Sequence, residues 1–169
     1  MGDMTAIAQW RFRRAVDRHH TTVYRFAAGL LRDASEAEDV TQETFAQYWR
    51  QGADVKQPKA WLLRVARNNC LDRLRKSVRL DYREHAEIPE AIEHRDAPMH
   101  MIAEQDTARL RTAISHLPEP QRSLIVMFSL QGMSGKHCAQ VLNLTLTQVK
   151  VYLHRAKAKL RETMETEDE

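Results

Sequence analysis

The sequence predicts an all-α protein of two small helical domains, a helical bundle and a helix-turn-helix, joined by a flexible acidic linker. Three observations lead there. Period-two alternation never persists along the 169 residues, and Gly and Pro number only five each, so strand and hairpin signals are weak. Apolar residues instead recur at helical spacing in several separate stretches. Charge, finally, is segregated beneath a formal net charge of only +3. Residues 56–79 hold eight Lys and Arg against one acid, Asp72; residues 79–106 hold three Arg against eight acids; residues 107–161 hold nine Lys and Arg against one acid, Glu119. Two basic blocks around an acidic one suit two phosphate-facing surfaces and a spacer of opposite sign.

The first helix is expected over Thr5–Leu31, with Val16, Val23, Tyr24, Ala27, Leu30 and Leu31 on its apolar side. His19 and His20 lie within it and read as a solvated pair, because a metal site would need further ligands at useful spacing. Asp33 or Ser35 can cap the second helix, and Glu36 and Glu38 suit its positive end. Ala37, Val40, Thr41, Thr44, Phe45 and Tyr48 then form one buried face up to about Arg50. Pro58 marks a loop before a third helix from Lys59 to about Ser77, which buries Leu62, Leu63, Ala66, Cys70 and Leu74. Trp61, Arg64, Val65, Asn68, Asp72 and Arg75 form a ridge elsewhere on it. Three such helices can close a small bundle.

From Val78 to Ala97 no period holds, acids dominate and large apolar groups are few, as in a linker. Pro98 opens a further helix. Pro118 and Pro120 open another, which Gly132 closes. Ser134 caps a short helix to Leu142, Asn143-Leu144-Thr145 is a tight turn, and a final helix starts near Leu146. Val149, Leu153, Ala156 and Leu160 face inward on it, leaving Thr147, Gln148, Lys150, Val151, His154, Arg155 and Lys157 outside.

That outer face has the inventory of a major-groove reader. Gln148 can pair with an adenine edge, and Lys150 and Arg155 can reach guanine or phosphate. The Trp61–Arg79 helix differs, since its aromatic, amide and guanidinium groups can hold an unstacked base and track a backbone. The competing reading makes Trp61 a core residue and the arginines solvated. The Asp39, Gln42 and Glu43 face is either an acidic docking surface or an ordinary wet face. No Gly-rich phosphate loop, paired-cysteine spacing, nucleophile elbow or H-E-x-x-H is present, so catalysis, metal and cofactor are not expected. The two cysteines, Cys70 and Cys138, suit a reducing compartment, and neither a signal core nor a membrane-length apolar run stands in the sequence, so a cytoplasmic location without membrane insertion is expected.

AEDVTQETF (37–45), KAWLLRVARNNCLDRLRK (59–76), and LPEPQR, QGMS and VKVYLHRAKAKLRE in the C-terminal part resemble the extracytoplasmic-function sigma factors of bacterial RNA polymerase. The resemblance implies a core-polymerase-binding and minus-ten domain over 1–78, an acidic linker over 79–97 and a minus-thirty-five domain over 98–169. It implies core-polymerase contacts by Asp39, Gln42 and Glu43, and minus-ten contacts by Lys59, Trp61, Arg64, Arg67, Asn68, Arg73 and Arg75. Trp61 and Asn68 would lie at a pocket for a flipped-out base. Minus-thirty-five contacts fall to Thr147, Gln148, Lys150, Val151, His154 and Arg155. The implied partners are core RNA polymerase, promoter DNA and an anti-sigma factor, often membrane-anchored in the family. His137 and Cys138 stand where the family usually has Glu and Ile, and Asn143 replaces a turn glycine. A stand-alone helix-turn-helix regulator with a sensing or dimerising N-terminal bundle is the alternative.

Overall fold

The computed structural model describes residues 6–51, 54–81 and 98–166, and among these every regular element is helical. In chain order they are α1 (Ala6–Leu31), α2 (Ala34–Arg50), α3 (Pro58–Asp81), α4 (Pro98–Ser115), α5 (Gln121–Leu124), a π-helical segment (Ile125–Leu130), α6 (Gly135–Leu142) and α7 (Leu146–Thr166). The all-α expectation therefore holds. Helix α3 runs helical to Asp81, past the expected start of the linker, and residues 82–97 lie outside the described ones.

Helices α1, α2 and α3 pack on one another as the expected bundle. The six residues expected on the inner face of α2 are all buried. Asp33 is the N-cap, its carboxylate accepting from the Glu36 N–H at 2.8 Å. Thr41 and Thr44 are buried without orphaned hydroxyls, because each donates back to the carbonyl four residues earlier at 2.7 Å. On α3, Leu62, Leu63, Ala66 and Cys70 are fully buried and Leu74 packs at the edge. Phe26, not expected in the core, is fully buried beside Val23 and Ala27.

The C-terminal part shows the expected punctuation. Ser134 caps α6 by accepting from the His137 N–H at 3.3 Å. Asn143 takes the left-handed conformation, φ 54°, and lets the Leu144 N–H reach the Ala139 carbonyl at 2.9 Å. One element departs from expectation. The helix foreseen between Pro120 and Gly132 is a short α5 that widens into the π-helical segment. Ser123 through Met127 are all buried, while Ser129 and Leu130 at the end of the segment are exposed. It sits between the bundle and the helix-turn-helix, with Val126 against Gly29 of α1 and the Gln131 side chain donating to the Thr22 carbonyl at 3.2 Å. Five consecutive buried residues lack the one-face pattern that marks ordinary surface helices. One apolar cluster consequently runs through both halves.

Burial pushes the Cys70 thiol up to about 12 and the Cys138 thiol up to about 11. At a pH near 8 neither sulfur has an appreciable thiolate fraction in the folded protein. Both are therefore expected to resist iodoacetamide natively and to react together once denaturant unfolds the chain. Rapid native labelling of either cysteine, read by mass spectrometry, would contradict this packing.

Candidate nucleic-acid interface

Burial of Leu62, Leu63, Ala66 and Cys70 sets the rotation of α3, and thereby the destination of each polar side chain on it. Lys59 lines a 260 Å³ cavity with His19, Met133, His137, Gln140 and Val141. Burial first, then the charges of Lys59 and Arg18, hold the His19 imidazole below its ordinary pKa. Arg64 donates to the Gln140 carbonyl at 2.9 Å and the Val141 carbonyl at 3.3 Å, at the negative C-terminal end of α6. Arg67 donates through two nitrogens to Glu119 Oε2 at 2.9 and 3.3 Å, and to Ser123 Oγ at 3.1 Å. Three of the seven candidate minus-ten residues thus face the C-terminal half.

The remaining four separate. Asn68 is exposed and shares an open 820 Å³ cleft with Arg67, Arg75, Glu119 and Arg122. Arg75 reaches Asp72 at 3.0 Å, an exposed pair. Arg73 turns to α2 instead, 3.8 Å from Asp39 and 3.7 Å from Glu43. Trp61 is half-buried, its ring centroid 5.6 Å from that of Tyr48 and packed against the core. Trp61 thus packs in part against the core, while Asn68 stays open to solvent.

On α2, Asp39, Gln42 and Glu43 are exposed together, as expected. Gln42 donates to Glu38 at 3.3 Å. Arg73 lies across this face and partly compensates its charge.

Helix α7 presents its expected outer face: Thr147, Lys150, Val151, His154 and Arg155 are exposed, while Val149, Leu153 and Ala156 are buried. Gln148 has a second task. Its Oε1 accepts from the Thr145 N–H at 2.8 Å, and Thr145 Oγ1 accepts from the Gln148 N–H at 3.1 Å. This reciprocal pair is a capping box. It leaves the amide –NH₂ of Gln148 for a base, but occupies the oxygen that a bidentate adenine contact would need. Val151 is 41% exposed in the middle of the polar stripe.

A basic, aromatic cleft was not foreseen. It has 390 Å³, and its lining includes Trp10, Arg14, Arg18, Tyr48 and Lys56. The Arg14 guanidinium lies over the Trp10 ring, 5.0 Å from its centroid. The alternation of aromatics and arginines in WRFRR was a local signal for it. Its closure by Tyr48, Asp54, Val55, Lys56 and Pro58 is tertiary and left no trace in the pattern. Glu119, Ser123 and Gly29 were likewise missed, since their significance comes from a partner far away in the chain. Among the described residues no cluster of three or more His, Cys, Asp or Glu could hold a metal, and no helix is long and apolar enough to cross a membrane.

A helical bundle bearing a cationic helix, followed by a helix-turn-helix with a polar outer stripe, defines a DNA-binding protein of two helical units. Family comparison makes the class specific. Sigma-70 region 2 matches residues 15–80, and Sigma-70, region 4 matches residues 107–160. The ECF RNA polymerase sigma factor SigL of Mycobacterium tuberculosis is 30% identical over 165 residues, covering 95% of this chain and 93% of that protein. SigE of Mycolicibacterium smegmatis is 30% identical over 166 residues; the match takes in 95% of this chain but only 63% of that protein. The structure of CnrH in complex with the cytosolic domain of CnrY superposes with a TM-score of 0.67 at 26% identity, covering 96% of each chain. Sigma factor RpoE from Bartonella quintana, solved with the anti-sigma factor NepR, shares the fold at TM-score 0.70 and 22% identity, over 91% of this chain and 96% of that one. The chain belongs to the sigma-70 family, among the extracytoplasmic-function sigma factors.

Because Gln148 closes a capping box, Gln148→Ala is expected to destabilise the protein by about 1 kcal/mol as well as to alter DNA binding. Urea melts in the absence of DNA check this; an unchanged midpoint would leave Gln148 with readout as its sole task.

Proposed function

We propose that this chain binds core RNA polymerase and directs initiation at promoters with two recognition elements. The observation that carries the reading is the order of surfaces along one chain. An acidic exposed face on α2, a cationic α3 and a helix-turn-helix reader follow one another inside the two matched sigma regions. The unit over residues 1–78 holds the first two surfaces and the unit over 98–169 the third. As a member of the sigma-70 family the protein acts by binding rather than as an enzyme, in the compartment where polymerase works, the cytoplasm.

Asp39, Gln42 and Glu43 dock on a basic surface of the polymerase. Lys59, Arg64, Arg67, Arg73 and Arg75 follow the phosphates of the minus-ten region, and Asn68, with Trp61 stiffening α3 behind it, holds an unstacked base. The Trp10–Tyr48 cleft is a second place for base capture, favoured by its aromatic walls and surrounding cations. Thr147, Gln148, Lys150, Val151, His154 and Arg155 meet the minus-thirty-five element. The exposed Val151 side chain suits a thymine methyl group, which offers an apolar contact in the major groove. An anti-sigma factor completes the system. CnrH was solved in complex with the cytosolic domain of CnrY, and its likeness to this chain extends over both units.

Run-off transcription with core polymerase is the direct test: transcripts are expected only when this protein is added. Tight binding of the free protein to a palindrome, indifferent to core, would favour the stand-alone regulator instead. Neutralising the docking face with Asp39→Asn and Glu43→Gln is expected to weaken core binding about tenfold, roughly the scale of two interfacial charge contacts. The measurement is a pull-down titration against core, with circular dichroism as the folding control.

Base capture is read by comparing a duplex promoter with one already opened by mismatches. Asn68→Ala is expected to impair the duplex template more, since capture offsets an unstacking cost of a few kcal/mol. Trp10→Ala distinguishes the second cleft by the same comparison. Val151 is tested without altering the fold, by replacing thymines with deoxyuridine one at a time in the upstream element. One position is expected to weaken wild-type binding and to leave Val151→Ala unaffected; a loss that persists in Val151→Ala would assign the methyl contact elsewhere.

A further inference from the structure

Three arginines from separate places in the chain converge on one cavity. It has 340 Å³ and lies between the C-terminal end of α1, the start of α2, α4 and the end of the π-helical segment. That volume is within the usual range of small-ligand pockets, about 300–1,000 Å³. Arg25 lines it from α1, Arg32 from the residue that follows α1, and Arg111 from α4.

The charge in this lining is unbalanced. Its one acid is Asp33, whose Oδ1 already accepts from the Glu36 N–H at 2.8 Å as the cap of α2. Neither the Arg25 nor the Arg111 side chain has a hydrogen-bond or ion-pair partner among the described residues. A concave site walled by one sign of charge focuses its field and concentrates counter-ions of the other sign. Arg32 is held there under strain. Its φ of 63° is the region where glycine is the default. One nitrogen of its guanidinium donates to Thr112 Oγ1 at 3.0 Å, and that hydroxyl donates on to the Ala108 carbonyl at 3.0 Å. The fork is thereby anchored at one prong, with N–H groups left over. Strained residues collect at ligand clamps. The rest of the wall is largely apolar: Ile114 is buried, Tyr24 is half-buried against the core, and Leu130 is 54% exposed.

We infer that this cavity binds an organic phosphate, a small molecule with a polyanionic phosphate head for the three arginines and a compact ring body for Tyr24, Ile114 and Leu130. Guanidinium forks match phosphate oxygens in pairs, and three forks suit a di- or triphosphate better than a single carboxylate. The site uses none of the residues proposed for DNA or polymerase, and it stands or falls independently of the sigma reading.

ATP is the probe, with tripolyphosphate as the head alone and adenosine as the body alone. Each is titrated into the full-length chain by calorimetry, and backbone amide shifts in NMR spectra locate the ligand. ATP is expected to bind one to one, about tenfold more tightly than either part, and to shift Gly29, Arg32 and Leu130 to saturation. Arg25→Gln and Arg111→Gln are each expected to weaken ATP about tenfold, the scale of one lost charge-assisted contact. Their thermal midpoints are expected to stay unchanged, because neither side chain has a partner to lose. Leu130→Ala is expected to weaken ATP and to leave tripolyphosphate unaffected. Shifts confined to α3 or α7 would mean that phosphate merely finds the DNA-facing cations, and would overturn the site. So would full affinity in the Arg25→Gln, Arg111→Gln double variant, or no saturable binding to the wild type. ATP no tighter than tripolyphosphate would overturn the ring-bearing ligand class.

Discussion

Burial of four residues on α3 (Leu62, Leu63, Ala66 and Cys70) holds that helix at one rotation, and the chemistry of the first unit follows from it. Given that inner face, the polar residues leave α3 in three directions. Lys59, Arg64 and Arg67 point toward the C-terminal half, Asn68 and Arg75 line the open cleft, and Arg73 reaches α2. A core change that turned α3 by even one residue, about 100°, would exchange these destinations. The proposed DNA surface is thus specified from within, by buried apolar side chains.

The placement of Arg73 ties two proposed surfaces together. It lies between the acidic face of α2 and the cationic ridge of α3, within 4 Å of Asp39 and Glu43. Both contacts are long and largely solvated, so they contribute little to stability. Their consequence is electrostatic: the Arg73 charge lies against Asp39 and Glu43 and partly compensates them. The proposed docking face and the proposed DNA face thus share one side chain, Arg73.

What could be read from the sequence was what repeats locally. The buried face of α2 follows a 3.6-residue period with no exception, so all six residues were legible. Ser134 and Asn143 announce a helix start and a left-handed turn through their own side chains, and the inner and outer faces of α7 follow from Val149, Leu153 and Ala156. Illegible features arise from residues far apart in sequence. Nothing around Arg67 points to Glu119, 52 residues later. The π-helical segment was read as ordinary helix because the enclosure that distinguishes it needs both units at once. Gln148 shows a subtler case. Its outward position was legible, but the same residue type serves a base edge and a capping box, and only the Thr145 geometry reveals the second use.

Local rules are broken at one surface more than elsewhere. Gly29 stands in the last turn of α1, where its missing Cβ admits Val126. Arg32, three residues on, adopts φ 63°, a conformation that costs a non-glycine residue about 1–2 kcal/mol. Glycine would end α1 there without strain, but it would lack the guanidinium that donates to Thr112 Oγ1 of α4 at 3.0 Å. Glu119 leaves a buried oxygen without a partner on the same side of the molecule. Each of these is unfavourable for the isolated element and intelligible only where the two units meet. Sequences are usually consistent from local propensity to global fold, and departures collect where function imposes a second demand. Here the second demand is that the two units pack closely. A tight glycine contact and the Arg32–Thr112 hydrogen bond favour that packing, and the under-satisfied Glu119 carboxylate opposes it.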